Sequence, residues 1–394
     1  MTTEIYLDNN ATTLMSSGVK AAIRVAMDED LGNPSSEHRS GEKARRAITR
    51  AKDAICSLIN TSADHLVFGS GATELSYWAL LNAMRGGRHS RLVTSPVEHS
   101  CILQTAEFMK HDGVNVDLLE VDQDGQINLD ELRTFARRGV DAVSIQWVNN
   151  ETGVIQPIQQ IAEICAEENV PFHCDAAQAL GKVPIDLANL NVTYLTVSAH
   201  KMHGPSGIGA IYATDPKSLR PLFHGGSQES GYRPGTENLL GIIGFGMAAD
   251  ERCGDFARVE SEVKYLRDRF EEELLDSLPE LWINGSTVNR ASNSSNITFS
   301  GVDGSALVAL LDRKGIRCSQ SSACTSNIPE PSYVLRAMGR SEEEAFASVR
   351  FSFSNQNTMN DVLAAVSAIT DIVTKLRGLK MQRSSKTGAL SHEV

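Results

Sequence analysis

The chain has 394 residues, of which 41% are hydrophobic, and 37 basic against 49 acidic side chains give a net charge of −12. That length supports two cored domains, and the acidic balance argues against a dedicated nucleic-acid or membrane-surface binder in favour of small-molecule chemistry or a protein partner. No apolar run approaches the ~18 residues of a membrane span, no signal-peptide pattern opens the chain, and seven scattered cysteines without a C-x-x-C pair argue against a disulfide framework, so the cytosol is the expected compartment.

In chain order, the stretch from Ile5 begins extended and ends in small polar residues, read either as the lining of a site or as a strand followed by a helix cap. Ser17 to Asp30 fits a short helix, and the loop from Leu31 to His38 holds Asn33 and Pro34. Helical spacing of Ala44, Ala47, Ile48, Ala51, Ile55 and Ile59 predicts a packing helix from Gly41 to Ile59, with Cys56 on its apolar face. Next come a strand from His65, a glycine turn at Gly69-Ser-Gly and a helix start, the arrangement that aims free N–H groups and a helix dipole at an anion. The same turn also joins strand to helix without any ligand. A strand from Arg91 delivers His99 to its carboxyl end before a helix from Cys101 to His111. A strand over 114–121 and a helix over 128–137 follow, then an apolar strand from Asp141 that ends in the polar cluster Asn149-Asn-Glu-Thr-Gly. A helix from Ile158 to Glu168 leads to the strand carrying His173 and Asp175 on one face and Cys174 on the other. A carboxylate at the end of a buried strand is costly without a cation, so Asp175 either meets a partner or caps the next helix.

The strand Tyr194 to Val197 stops at Ser198-Ala-His-Lys, and a glycine-rich turn from Gly204 returns the chain as a second strand from Gly209. Lys201 therefore sits at a strand end between His200 and His203, either desolvated enough to form a Schiff base or solvated in a turn. The glycine-rich polar stretch from Leu222 to Asn238 exceeds what a connection requires and reads as a functional loop. A Gly- and Ala-rich helix over 239–253 precedes an amphipathic helix from Phe256 to Leu278 that opens a second domain. There, strands from Leu281, Asn296 and Ser348 and helices over 305–314 and 360–376 predict a small α+β layer, while Cys324 rides on a loop without apolar periodicity. The predicted division is a segment 1–14 packing with the small domain, a large domain 15–255, a small domain 256–378 and a structureless tail 379–394.

Alternating strands and helices over the first two-thirds predict an α/β fold with a mostly parallel sheet. Its strand ends collect an anion-binding turn from Gly71 through Ala72 to Thr73, together with His99, Asn150, Asp175, Gln178 and Lys201. A cofactor with a phosphate, an aldehyde and a protonatable ring nitrogen uses them all, with Lys201 on the aldehyde, Asp175 on the nitrogen, His99 stacked on the ring and the turn on the phosphate. Pyridoxal 5′-phosphate is that cofactor.

These residues lie in motifs that resemble the pyridoxal-phosphate-dependent cysteine desulfurases of the class V aminotransferase family. The motifs are Y-L-D-N-N-A-T-T from Tyr6, G-N-P-S-S from Gly32, S-G-A-T-E from Ser70, E-H from Glu98 and V-N-N-E-T-G-V from Val148. They continue with H-C-D-A-A-Q from His173, S-A-H-K-M-H-G-P from Ser198, G-T-E-N from Gly235, S-S-A-C-T-S from Ser321, E-P-S-Y-V-L-R-A-M-G from Glu330 and V-R-F-S from Val349. The resemblance spans residues 4 to 378 and implies a fold type I transferase with a seven-stranded sheet, acting as a homodimer. It implies that Lys201 carries the cofactor, Asp175 pairs with its ring nitrogen, and Gln178 and Asn150 bond the ring hydroxyl. Thr73, Ser198 and His200 would bind the phosphate, helped by Thr236 from the other subunit, while Arg350 and Asn33 would hold the substrate carboxylate. Cys324 would be the nucleophile that takes sulfur from L-cysteine as a persulfide, releasing alanine and passing the sulfur on to an acceptor protein, with His99 and Lys201 moving protons.

Where relatives have glycine, this chain has Ser321 and Ser227; Cys318 adds a thiol six residues before Cys324, as a persulfide resolver or a buried strand-end residue; and the tail lacks the His-ended terminus that docks an iron–sulfur scaffold. Iron–sulfur assembly, tRNA thiolation and DNA phosphorothioation all stay open as destinations of the sulfur. Rival readings are a selenocysteine lyase or aminotransferase, a catalytically silent scaffold for a sulfur-pathway partner, and a metal site at His173, Cys174, His200 and His203, which the opposed faces of His173 and Cys174 disfavour.

Overall fold

The computed structural model describes residues 4–84, 90–320 and 330–390. In chain order the elements are β1 (Ile5–Tyr6), α1 (Ser17–Asp28), α2 (Arg39–Ile59), β2 (Leu66–Gly69), α3 (Ala72–Ala83), β3 (Arg91–Thr94), α4 (Ser100–His111) and β4 (Asn115–Leu118). Then follow α5 (Leu129–Arg137), β5 (Ala142–Gln146), α6 (Ile158–Glu167), β6 (Phe172–Asp175), β7 (Tyr194–Ser198), β8 (Gly209–Ala213) and α7 (Leu239–Ser277). The remainder comprises β9 (Leu281–Ile283), β10 (Ser294–Phe299), α8 (Gly304–Arg313), β11 (Ile316–Arg317), α9 (Tyr333–Ala337), α10 (Glu342–Phe346), β12 (Ser348–Ser352) and α11 (Met359–Leu390). Two compact units emerge, one of residues 12–150 and 154–257, the other of 1–11, 151–153 and 258–394.

The first unit is built on a seven-stranded sheet of order β2-β8-β7-β6-β5-β3-β4, in which β8 runs antiparallel to both its neighbours and every other pairing is parallel. Strands β5 to β8 are buried along their whole length, as expected of a sheet covered on both faces. Helix α3 explains one of those covers. It is apolar nearly all round, burying Leu75, Trp78, Ala79 and Leu80 with Ile102, Ala106 and Ile211 in one core cluster. Because six strands run the same way, their carboxyl ends share one edge, and the chain leaves that edge at Gly69, Thr94, Gln146, Asp175 and Ser198.

The second unit holds the antiparallel sheet β12-β10-β9 and the parallel pair β1-β11. One face of the larger sheet packs Ile297, Phe299, Val349 and Phe351 against Leu7, Phe270, Leu307 and Ile369. The Phe270 ring lies 5.0 Å from Phe351 and 5.2 Å from Phe353, within the range where tilted aromatic pairs attract. Its other face is polar yet buried, and its polar groups are partly paired with one another: Asn284 Nδ2 donates to Asn296 Oδ1 (2.9 Å) and Thr298 Oγ1 (2.8 Å), while Asn284 Oδ1 meets no hydrogen-bond partner among the described residues.

The structure departs from the sequence expectation at three places. The two helices expected on either side of residue 255 form the single helix α7, because Gly254, the one weak helix former at the junction, costs only about 1 kcal/mol. Helix α11 continues to Leu390, past residue 378, where a structureless tail is expected, since no proline interrupts the run. Helices α9 and α10 arise in a stretch too short to show periodicity, and each starts on a serine cap, Ser332 and Ser341, the latter in a reciprocal capping box with Glu344.

Candidate active site

At the shared strand edge of the first unit, β6 ends on Asp175, which is 5% exposed and accepts a hydrogen bond from the Ala177 N–H at 2.9 Å. Burial pushes its carboxyl above the ordinary carboxylate range, and His99, the Ala177 N–H and Lys201 pull it back. His99 caps α4 with Nδ1, which accepts from the Cys101 N–H at 3.2 Å, so the neutral ring carries its proton on Nε2. Burial holds this imidazole below the usual histidine range; Asp175 opposes that and Lys201 reinforces it. Lys201 stands half-buried in the turn after β7. Three titratable groups from three strand ends thus act on one another, although they are 76 and 26 residues apart in the chain.

The turn before α3 has the form of an anion cradle. Gly71 caps the helix without any side-chain bond, which leaves the first N–H groups of a 12-residue helix to other partners. A Cβ on Gly209 would lie 2.9 Å from Gly71 Cα, so the turn sits against β8 with no room for a side chain there. Thr73 is exposed in the first helical turn, and Ser198 Oγ lies 3.8 Å from the Cβ position of Gly71. His200 is held by Thr12 Oγ1 at 3.1 Å and, through burial first and the nearby lysines second, is pushed down to about 4.

Gln178 is buried three residues beyond Asp175, and its Oε1 accepts from Lys182 Nζ at 2.5 Å. Since an ammonium only donates, the amide oxygen must face Lys182, which turns the amide NH2 group the other way. Sequence reasoning passed over Lys182, because residues 177–182 form a turn, where a spacing of four carries no helical pairing signal. It also gave no role to Glu98 beyond its place in a motif; that residue is fully buried, and its two oxygens accept the Gln146 N–H at 3.0 and 2.9 Å, a contact that joins elements 48 residues apart. Asn150 is half-buried after β5, Asn33 is exposed in the loop before α2 with Oδ1 accepting from the Ser35 N–H (2.8 Å), and Thr236 is exposed beside Gly69 and Ser70 of its own chain.

In the second unit Arg350 lies on β12, 6% exposed, with Nη2 donating to Asp8 Oδ1 at 2.8 Å. Cys318 follows β11, buried, and its thiol is pushed up by burial, then by Asp8, which disfavours the thiolate a persulfide resolver needs. Cys324 and Ser321 lie outside the described residues. Ser227, at φ −90° and ψ 11°, occupies backbone open to any residue, so a serine in place of glycine brings no strain.

Cys56 on α2 and Cys165 on α6 are buried packing residues. Burial pushes Cys56 up to about 11 and Cys165 up to about 12. Of the four groups weighed as a metal site, His173 bonds Ser144 and Thr196, His200 bonds Thr12 and His203 bonds the Leu14 carbonyl, and no metal-binding cluster occurs among the described residues.

The donor set fits pyridoxal phosphate: a buried carboxyl raised by burial suits a cationic ring N–H, the uncapped helix start suits a phosphate, and the half-buried lysine suits an aldehyde. Known proteins resemble this chain over most of its length. A family profile described as Aminotransferase class-V matches residues 5–364. A cysteine desulfurase of Gluconacetobacter diazotrophicus is 39% identical over 377 residues, covering 95% of this chain and 94% of its own. Among solved structures, a NifS-like protein superposes with a TM-score of 0.87 at 32% identity, covering 94% of this chain and 99% of its own. A structure described as SspA in complex with cysteine does so with a TM-score of 0.79 at 33% identity, covering 89% and 99%.

Proposed function

Because this chain belongs to the class V aminotransferase family and, within it, to the cysteine desulfurases, we infer that it is a sulfurtransferase that converts L-cysteine to L-alanine. Its sulfur leaves as a persulfide. The net step balances: the substrate C–S bond breaks, an S–S bond forms at the enzyme thiol, the sulfur is oxidised as the carbon is reduced, and the thiol proton stays with the products. Cys324 is the residue to which we assign that thiol, as a soft thiolate nucleophile matched to sulfur.

The observation that carries this reading is the mutual interaction of Asp175, His99 and Lys201 at one strand edge. When bound, pyridoxal phosphate draws electron density from the substrate α-carbon into its ring. The chain's own groups then have distinct work. Lys201 would hold the aldehyde and move a proton; Asp175 would hold the ring nitrogen; His99, kept neutral by burial, would stack on the ring and offer a proton on Nε2. Ala72, Thr73, Ser198 and His200 bind the phosphate, with Thr236 supplied by the partner of a homodimer. Gln178 and Asn150 bond the ring hydroxyl, and Lys182 turns the Gln178 amide so that its NH2 group donates. Arg350 and Asn33 bind the substrate carboxylate. A protein acceptor collects the persulfide sulfur, and the free state of the six described cysteines fits work in the reducing cytosol.

The test compares wild type with Cys324→Ala, measuring alanine and sulfide from L-cysteine with a reductant and recording the visible spectrum of each. Equal alanine and sulfide, abolished in the variant while the visible band of the bound cofactor persists, is the expected result. Full turnover by Cys324→Ala would remove Cys324 from the assignment.

A further inference from the structure

The start of the chain is pinned from both sides by the second unit. Ile5 and Tyr6 pair in parallel with Ile316 and Arg317, and the Leu7 N–H donates to the Arg317 carbonyl at 2.8 Å. From the other side the Ser352 N–H donates to the Leu7 carbonyl (2.8 Å), while Asn9 Nδ2 reaches the Ser352 carbonyl (2.8 Å) and the Asn10 N–H reaches Ser352 Oγ (2.9 Å). Five bonded residues, Ile5, Tyr6, Leu7, Asn9 and Asn10, thus bracket Asp8, and its carboxylate is delivered to Arg350, two places before Ser352 on β12. The pair is sheltered, with side chains 7% and 18% exposed. Arg317, the nearby alternative, has an acid of its own in Glu4 at 2.5 Å.

The backbone of Arg350 is equally restrained. Its N–H donates to the Ser319 carbonyl (2.8 Å) and its carbonyl accepts from the Ser319 N–H (3.3 Å), an isolated antiparallel bridge. What stays adjustable is the torsion of a long side chain, and a guanidinium binds carboxylates well only when its plane is aligned, because its donors form a rigid fork. We propose that Asp8 is a positioning residue for substrate recognition, fixing the guanidinium plane of Arg350 against which the α-carboxylate of L-cysteine docks. The proposal rests on the reading of Arg350 as the carboxylate ligand. It gives the first strand a task in selecting substrate, since an amino acid with its carboxylate gains from the aligned fork and an analogue without that charge does not.

The experiment titrates the holoenzyme with L-alanine and with L-alaninamide, which differ in the carboxylate charge, and follows the visible spectrum of the bound cofactor. Wild type prefers alanine, and Arg350→Ala loses the preference. Asp8→Asn, nearly isosteric, cuts the preference roughly tenfold, the loss expected when a charge-assisted bond is misdirected, and Asp8→Glu retains part of it. A merely structural Asp8 would lower stability and leave the ratio of the two affinities untouched. If Asp8→Asn keeps the wild-type ratio while Arg350→Ala loses it, the positioning role is overturned and the carboxylate reading stands. Retention of the preference in Arg350→Ala overturns both.

Discussion

His173 illustrates how one buried ring can be tied to the fold rather than to the chemistry beside it. It neighbours the site motif, yet its Nδ1 meets Ser144 Oγ at 2.9 Å and its Nε2 meets Thr196 Oγ1 at 3.1 Å inside the sheet. Burial drives its pKa down to about 3. An unfolded histidine titrates near 6.5, so between those values the unfolded chain binds the extra proton; stability is full above that window and falls as pH drops through it. His200, at about 4, contributes with the same sign. Urea denaturation at pH 7 and pH 5 should therefore show His173→Asn less stable than wild type at pH 7 but losing on the order of 2 kcal/mol less on acidification. Parallel pH curves for the two proteins would mean that His173 titrates normally in the fold.

Two glycines on α7 have opposite reasons to be there. Gly254 has nothing within 4 Å of the position a Cβ would take, whereas a Cβ on Gly246 would lie 2.6 Å from Ala51 Cα on α2. The first costs helix stability without a packing return; the second permits close approach of two helices. Gly254→Ala should raise stability by about 0.5–1 kcal/mol and Gly246→Ala should lower it by ~1–3 kcal/mol, read from urea midpoints. Changes of the same sign in both variants would contradict this account. Elsewhere a glycine in a helical run suggests a boundary, which is why the sequence reads two helices where α7 is one.

Each unit has its own core, and the earliest residues of the chain serve the core built from its last third. Leu7, fully buried, packs in a cluster with Phe270, Phe351 and Ile369. Leu7→Ala should cost about 2–5 kcal/mol, the usual range for truncating a buried leucine. Amide hydrogen exchange should rise in β10 and β12 and stay near wild type in β5 and β6, because the lost contacts belong to one core only. Uniform acceleration in both sheets would show that the units open as a single cooperative block.

The alternation of periodicities, the apolar strands and the glycine turns were enough to foretell a mostly parallel sheet and the gathering of polar groups near its strand ends, because those signals are local in the chain and tied to backbone geometry. The residues proposed to carry the chemistry were legible for the same reason: Asp175 closes β6, and His99 and Lys201 come shortly after the ends of β3 and β7. Contacts between distant segments left no such mark. The clasp of Glu98 on Gln146, the burial of His173 and the pairing of Asp8 with Arg350, 342 positions apart, depend on strand order and register. Periodicity reports which face of a strand is buried but not which strand lies beside it, so only packing of the whole chain could bring these partners within hydrogen-bonding distance.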